Sequence, residues 1–337
     1  MAPITVGIRR RLIDLLSREV RFGEPISYEG LTLVPVFSTA RAPFDYTLLA
    51  HAVETGTAVI EEAGNGSVPT LRIVNRGDRP VLLIDGEHLV GVKQNRILNT
   101  TILVPAKSSL DIPVSCVEQG RWSAPRGTAK PTSGHLFVAA RAAKAEAVTT
   151  SVRASGAYRA DQGQIWAAVA GGLSALNVAS PTSALHDVYE QRSHALGEYL
   201  HHLHTKTGQT GVVAAVGGRI MAADLFDRLE TLKGLWDRLV SSYAIDAMTR
   251  REQGTVSADD AAAFFARING ATITEHAAVG MGTDVRATGD GLVGSALAAE
   301  NAFIHVALFQ TSRDERRPHW VQPPMFSSIS ERLRRMR

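Results

Sequence analysis

The sequence predicts an α+β fold: a β-rich antiparallel N-terminal half, a helical middle and a second α/β lobe, packed as one compact unit. Three observations carry this. Residues 31–117 hold at least five short apolar or alternating runs, separated by turn signals such as Asn75-Arg76-Gly77-Asp78. Residues 164–203 place apolar side chains at threes and fours. After Gly211, a two-strand pattern around Gly217-Gly218, a long helical stripe and further apolar runs follow one another.

Taken in order, residues 1–30 form an N-terminal amphipathic helix, with Ile4, Ile8, Leu12, Leu15 and Val20 near helical spacing. Residues 31–122 are the β-rich lobe, with strands at 31–37, 70–74, 80–84, 99–104 and 110–117 and one short helix near 44–54. Such dense strands suit an antiparallel sheet rather than βαβ units. Residues 121–160 carry seven basic side chains against one acidic one, Glu146. The span 123–163 is therefore read as a basic flexible segment, a solvated loop leading into an Ala-rich helix at 136–147; a flap over an anion is its sharper reading. The α/β lobe, 164–312, opens with helices at 164–177 and 185–203. It continues through the hairpin 211–226 and a capping box of Asp227 and Glu230. The Leu229, Leu232, Trp236, Leu239, Tyr243 stripe follows, then strands at 272–278, 292–299 and 303–309. Residues 313–337 form a basic tail.

Composition removes several function classes. With 45% hydrophobic and 20% charged residues over 337 positions, the chain can bury a sizeable core, which excludes wholesale disorder. One cysteine, Cys116, excludes an internal disulfide and any CxxC zinc or redox pair. No apolar run reaches the roughly 18 residues of a membrane helix, and the arginine-rich start is not a secretory signal, so a soluble cytoplasmic protein is expected. A net charge of +3 gives no argument for nucleic acid. GxSxG, HExxH, P-loop and GxGxxG-after-strand signatures are missing from the sequence, and no metal site or cofactor is assigned. His201, His202 and His204 fall where a helix is ending and are read as structural.

Two blocks concentrate polar chemistry. Asp85, Glu87, His88, Lys93, Gln94, Asn95, Arg96 and Asn99 lie within the stretch 85–99, directly after an apolar strand. Amides and guanidinium groups there present fixed donor and acceptor patterns suited to sugar hydroxyls, base edges or phosphate. The second block, 115–122, ends a strand in Glu118, Gln119, Gly120, Arg121 and Trp122: an acid, an amide, a bidentate cation and a stacking surface. Cys116 is read as a buried small hydrophobe rather than a nucleophile. A weaker glycine-rich feature, 280–291 with Arg286, suits hairpin turns better than phosphate.

These same blocks carry a resemblance. DGEHLVGVKQNRILN (85–99) and IPVSCVEQGRW (112–122), with GVVAAVGGRIMAADLF (211–226), LWDRLVSSYAIDAM (235–248) and GTDVR…GLVGSALAAENAFIHVALF (282–309), resemble the ADP-ribosylglycohydrolase- and rhodanese-phosphatase-associated protein domain family. His88 stands where the family commonly has a second acid, and Val92 where it has a smaller residue. The resemblance implies a setting in ADP-ribose or NAD-derivative processing and no particular reaction.

The resulting expectation is a nucleotide- or ADP-ribose-type ligand-handling protein with a small phosphate-bearing partner. Glu87 or Glu118 would act as acid or base if it hydrolyses. Lys93, Arg96 and Arg121 would meet phosphates, Gln94, Asn95, Asn99 and Gln119 would supply polar contacts, and Trp122 would stack on a base. The alternatives are a non-catalytic sensor or sequestering module on the same residues, and a structural adaptor forming a homo-oligomer.

Overall fold

The computed structural model describes residues 7–63, 69–121, 127–250, 253–289 and 291–311. Ile4, Trp122 and the tail 313–337 lie outside the described residues. The strand Leu31–Phe37 pairs antiparallel with Gly211–Val216 on one edge and with Arg21–Phe22 and Ile26–Tyr28 on the other. From Gly211–Val216 the nine-stranded sheet continues through Arg219–Phe226, Ala302–Gln310, Leu292–Ala299, Thr283–Gly289 and Thr272–Ala277. An N-terminal strand thus sits inside the sheet built by the C-terminal half, so the lobes read along the chain interlock in space.

Both faces of this sheet are covered, which is why Leu31–Phe37 and Gly211–Val216 are apolar almost without alternation. Leu33, Val212 and Ala214 enter one core with the helices Val138–Ser155, Gln162–Ala175 and Leu229–Arg250. Their strand neighbours Val34, Val36, Val213 and Ala215 point the other way, to Leu12 on Ile8–Asp14 and to Ala261, Phe264 and Phe265 on Ala258–Ala266. The Gly217-Gly218 turn is left-handed at both positions, φ 57° and 75°, as a two-residue hairpin requires.

A six-stranded sheet runs in the order Lys130–His135, Glu87–Val90, Arg96–Leu98, Ser108–Cys116, Thr70–Asn75, Ala58–Glu62. A third sheet joins Ile102–Val104, Val81–Leu83 and Thr47–Leu48, the last pair parallel. The architecture is α+β, as the sequence predicts, and among the described residues no helix is long and apolar enough to cross a membrane.

Local departures have physical causes. The polar block after Ile84 is a buried β-hairpin, Glu87–Val90 against Arg96–Leu98, because its side chains find partners inside the protein. Residues 130–155 are regular: a strand, then an 18-residue helix that buries Arg141 and Lys144. The spacing that suggests one helix over 185–203 is interrupted at Arg192, which separates Leu185–Gln191 from Ser193–His202. The guanidinium of Arg192 reaches back to the carbonyl of Leu176. Asp227 does not cap the long helix; its carboxylate accepts from Tyr46 Oη, from Ala42 N at 3.2 Å and from Arg228 Nε at 2.8 Å. The helix Ala258–Ala266 carries the capping box instead, between Ser257 and Asp260.

The Leu229–Arg250 stripe is buried on Gly211–Val216 and Lys130–His135, with Leu232, Leu239 and Tyr243 each at most 1% exposed. Trp236 donates its Nε1 proton to Leu203 O at 2.9 Å. Trp236→Ala is expected to destabilise the protein by about 3–5 kcal/mol, since it opens a cavity and strands that carbonyl. Urea unfolding followed by far-UV circular dichroism reads the loss; a change under about 1 kcal/mol would contradict this packing.

Candidate ligand site

The two polar blocks meet because Ser108–Cys116 pairs with Arg96–Leu98, placing Cys116 directly opposite Arg96. Around that register point a dense cluster forms. Gln94 Oε1 accepts from Arg96 Nη1 at 3.1 Å and from Cys116 Sγ at 3.1 Å, while Gln94 Nε2 donates to Glu118 O at 3.0 Å. Gln162, from the next helix, clamps the Cys116 backbone at both N and O. Burial pushes the Cys116 thiol up, against the opposing pull of the Arg96 charge.

Glu118 is the hub. Arg121 donates to both of its oxygens, at 2.9 and 2.8 Å, and Thr182 Oγ1 and Asn95 N supply two more bonds. Burial works to raise the Glu118 pKa, but these bonds outweigh it and hold the carboxyl below its usual range. Arg121 also reaches Asn95 Oδ1 and Val92 O, so its fork is committed inside the protein.

Arg96 is different. It is only 2% exposed, its Nε has no hydrogen-bond partner, and no carboxylate lies within ion-pairing distance among the described residues. Burial lowers its pKa, with Cys116, Glu62 and Glu118 in electrostatic range opposing that. The other deeply buried guanidiniums are each matched by an acid: Arg141 by Asp224, Arg286 by Asp284 and Arg228 by Asp227.

The remaining residues singled out in the sequence scatter. Asn99 lies one strand end away, where it accepts from Ser115 Oγ and donates to Tyr158 O. Lys93 and Gln119 are exposed and touch the cluster through backbone only, Lys93 N on Glu62 and Gln119 N on Thr182 O. Glu87 faces away, to Arg238 of the long helix at 2.8 Å, and burial raises its pKa against that pairing. Arg286 is buried against Asp284 in the strand Thr283–Gly289, which rules out its phosphate reading.

A second network, unmarked by any local motif, lies between the sheets. Asp224 receives a bidentate bond from Arg141 at 2.9 and 2.7 Å, Tyr243 Oη at 2.6 Å and His305 Nε2 at 3.1 Å. Burial opposes the Asp224 charge, yet Arg141 and His305 hold its pKa well below the ordinary value. His305 Nδ1 pairs with Thr101 Oγ1, which accepts from Asp85 N, and the Asp85 carboxylate meets Lys144 Nζ. Gly86, at φ 85°, makes the turn between Asp85 and Glu87; a Cβ there would lie 2.6 Å from the His135 ring. The sequence signals available were single charges inside apolar runs: Asp224 in a hairpin strand, and Arg141 with Lys144 in an Ala-rich helix. Among the described residues no three His, Cys, Asp or Glu side chains gather as a metal site needs.

Three buried histidines, His88, His135 and His305, are held neutral by desolvation, His88 with its pKa pushed down to about 3. Unfolded histidine protonates near 6.5, so below that pH the unfolded state binds more protons and the fold loses stability. Asp246 has the opposite sign. Burial raises its pKa to about 6, so acid between 6 and 3.8 stabilises the fold through it. His88→Gln keeps a polar group for Thr132 and removes the titration. The stability gap between wild type and variant should shift in favour of the variant by about 1.4 kcal/mol per pH unit below 6.5. Denaturant unfolding at several pH values measures it; a pH-independent gap would mean that His88 titrates in the folded protein.

No curated protein and no solved structure matches the chain significantly. A family model does, over residues 19–309, and it takes in both polar blocks, the Arg96 cluster and the Asp224 network. The chain belongs to the ARG and Rhodanese-Phosphatase-superfamily-associated Protein domain family, ARPP-1, named for its association with ADP-ribosylglycohydrolases and rhodanese-like phosphatases.

Proposed function

We propose that this protein binds a phosphate-bearing nucleotide or ADP-ribose-type ligand, with Arg96 as the anion-recognising group, and that it holds the ligand rather than hydrolysing it. The observation that carries this reading is that no carboxylate contacts the buried Arg96 guanidinium among the described residues, with Glu62 and Glu118 acting on it only at longer range. A buried cation without a carboxylate costs several kcal/mol, and a bound phosphate would supply the missing partner in the fork geometry a guanidinium favours. The exposed Lys93, three positions before Arg96 in the chain, adds positive charge on this side, while Arg121 is matched by Glu118. Asn95 and Gln94 present amides to the same cluster. Family membership supports the ligand class, since the family takes its name from ADP-ribose-removing enzymes.

A holding role is favoured because Glu118 has both oxygens saturated and a lowered pKa, which suits orienting Arg121 rather than moving protons. Glu87, with its raised pKa, lies in an ion pair with Arg238 instead of beside Arg96. The adaptor reading draws on one observation, that most of the cluster is satisfied internally.

Thermal-shift screening against ADP-ribose, NAD and nucleotides, followed by calorimetry, separates the readings. Arg96→Gln should retain or gain stability, because it removes a buried charge, and should weaken binding of the selected ligand by about tenfold or more. Arg121→Lys keeps the charge but loses the fork that organises Glu118, so it should cost about 1–3 kcal/mol of binding. Incubated ADP-ribose should be recovered intact by chromatography. No ligand in the screen, with Arg96→Gln destabilising the fold, would leave the adaptor reading.

A further inference from the structure

A second site lies on a different part of the surface. A cleft of about 310 Å³ opens where three chain segments meet: the approach to Thr47–Leu48, the turn before Val81–Leu83, and the start of Leu229–Arg250. Each segment contributes one arginine to its lining, Arg41, Arg79 and Arg228.

The back wall is rigid. Arg228 is held by Asp227 at 2.8 Å, by Phe44 O at 2.8 Å and by the face of Tyr46, whose ring centroid is 4.4 Å from its guanidinium carbon. Tyr46 in turn is fixed by Asp227 and by Thr231 Oγ1. Arg41 and Arg79 are exposed and make no side-chain hydrogen bond or ion pair among the described residues. Two exposed arginines without an ion pair among the described residues and a third, immobilised one thus line a single concavity. Like charges brought together repel, and an anion between them converts that repulsion into attraction.

We propose that this cleft is a binding site for a small phosphate-bearing ligand of phosphosugar size, separate from the Arg96 cluster. Two acids, Asp45 and Glu230, also line it, and Asp227 stands behind Arg228, so the three arginines are balanced by three acids, which suits one phosphate group met locally by the two exposed arginines rather than a polyanion such as nucleic acid. The volume lies at the small end of ligand sites, and Leu48 offers an apolar surface for the body of the molecule. Asp45 is 65% exposed and bonds Arg228 Nη1 at 3.2 Å, which makes it the group a phosphate would displace.

The test is calorimetric titration of the full chain with inorganic phosphate and with ribose 5-phosphate at near-physiological salt. The expected result is saturable binding of ribose 5-phosphate with one equivalent. The double variant R41Q/R79Q, both positions exposed, should weaken it by about tenfold or more, and D45N should tighten it by freeing the Arg228 fork. R96Q should leave it unchanged. Absence of saturable binding to wild type, or equal binding by R41Q/R79Q, would overturn the proposal. Loss on R96Q alone would assign the ligand to the other cluster and equally overturn it.

Discussion

The fold depends on one buried carboxylate. Asp224 is fully buried in the central strand Arg219–Phe226, and it receives Arg141 from one helix, Tyr243 from another and His305 from the neighbouring strand. Removing any one partner would leave charge or hydrogen-bonding capacity stranded in a low-dielectric interior, at about 3–5 kcal/mol for a broken ion pair. That penalty fixes geometry. The helix Val138–Ser155 and the helix Leu229–Arg250 can sit on the sheet only where both their polar groups reach the same carboxylate. Asp246 adds a second constraint by capping the start of Val138–Ser155, at Val138 N, from within Leu229–Arg250.

From that junction the constraint passes to the other sheets. His305 bonds Thr101, Thr101 accepts from Asp85 N, and Asp85 holds Lys144 of the same helix that carries Arg141. The opening residue of the 85–99 block is therefore a structural rivet between sheets. Its middle, Gln94 to Arg96, lies where the hairpin turns into its second strand and belongs to the Glu118 cluster. One continuous polar motif thus serves two purposes, and only the second leaves a charge unmatched.

Much of this was legible in the sequence, for definite reasons. Strands such as Thr70–Asn75 and the hairpin around Gly217-Gly218 are set by local periodicity and turn chemistry, so they can be read directly. The joining of 94–96 with 118–121 could be anticipated because each block is dense enough to need a partner. The bonds to Asp224 could not, since its direct partners stand up to 164 positions apart, from Arg141 to His305, and each looks like an isolated polar group in an apolar run. The burial of the 85–99 hairpin was missed because polar composition signals exposure unless the internal partners are known. Likewise the break at Arg192 depends on carbonyl acceptors from a different helix, which no periodicity can show.

The distinction between scaffold and site then reduces to compensation. Arg141, Arg228 and Arg286 are buried with acids in contact, and their charges are spent on architecture. Glu118 and Arg121 neutralise one another and shape the wall beside Arg96. Arg96 alone of these deeply buried guanidiniums has no carboxylate in contact among the described residues, and Gln94, which Cys116 also meets, gives it only a neutral contact. Where the other deeply buried guanidiniums each contact an acid, the one that does not marks where an external anion would lower the free energy most. The surface arginines Arg41 and Arg79 obey the opposite logic: water already solvates them, so their contribution to an anion is long-range attraction and closure over it, not relief of a buried charge. The two proposed anion sites therefore differ in kind, one resting on desolvation and the other on exposed like charges lining one cleft.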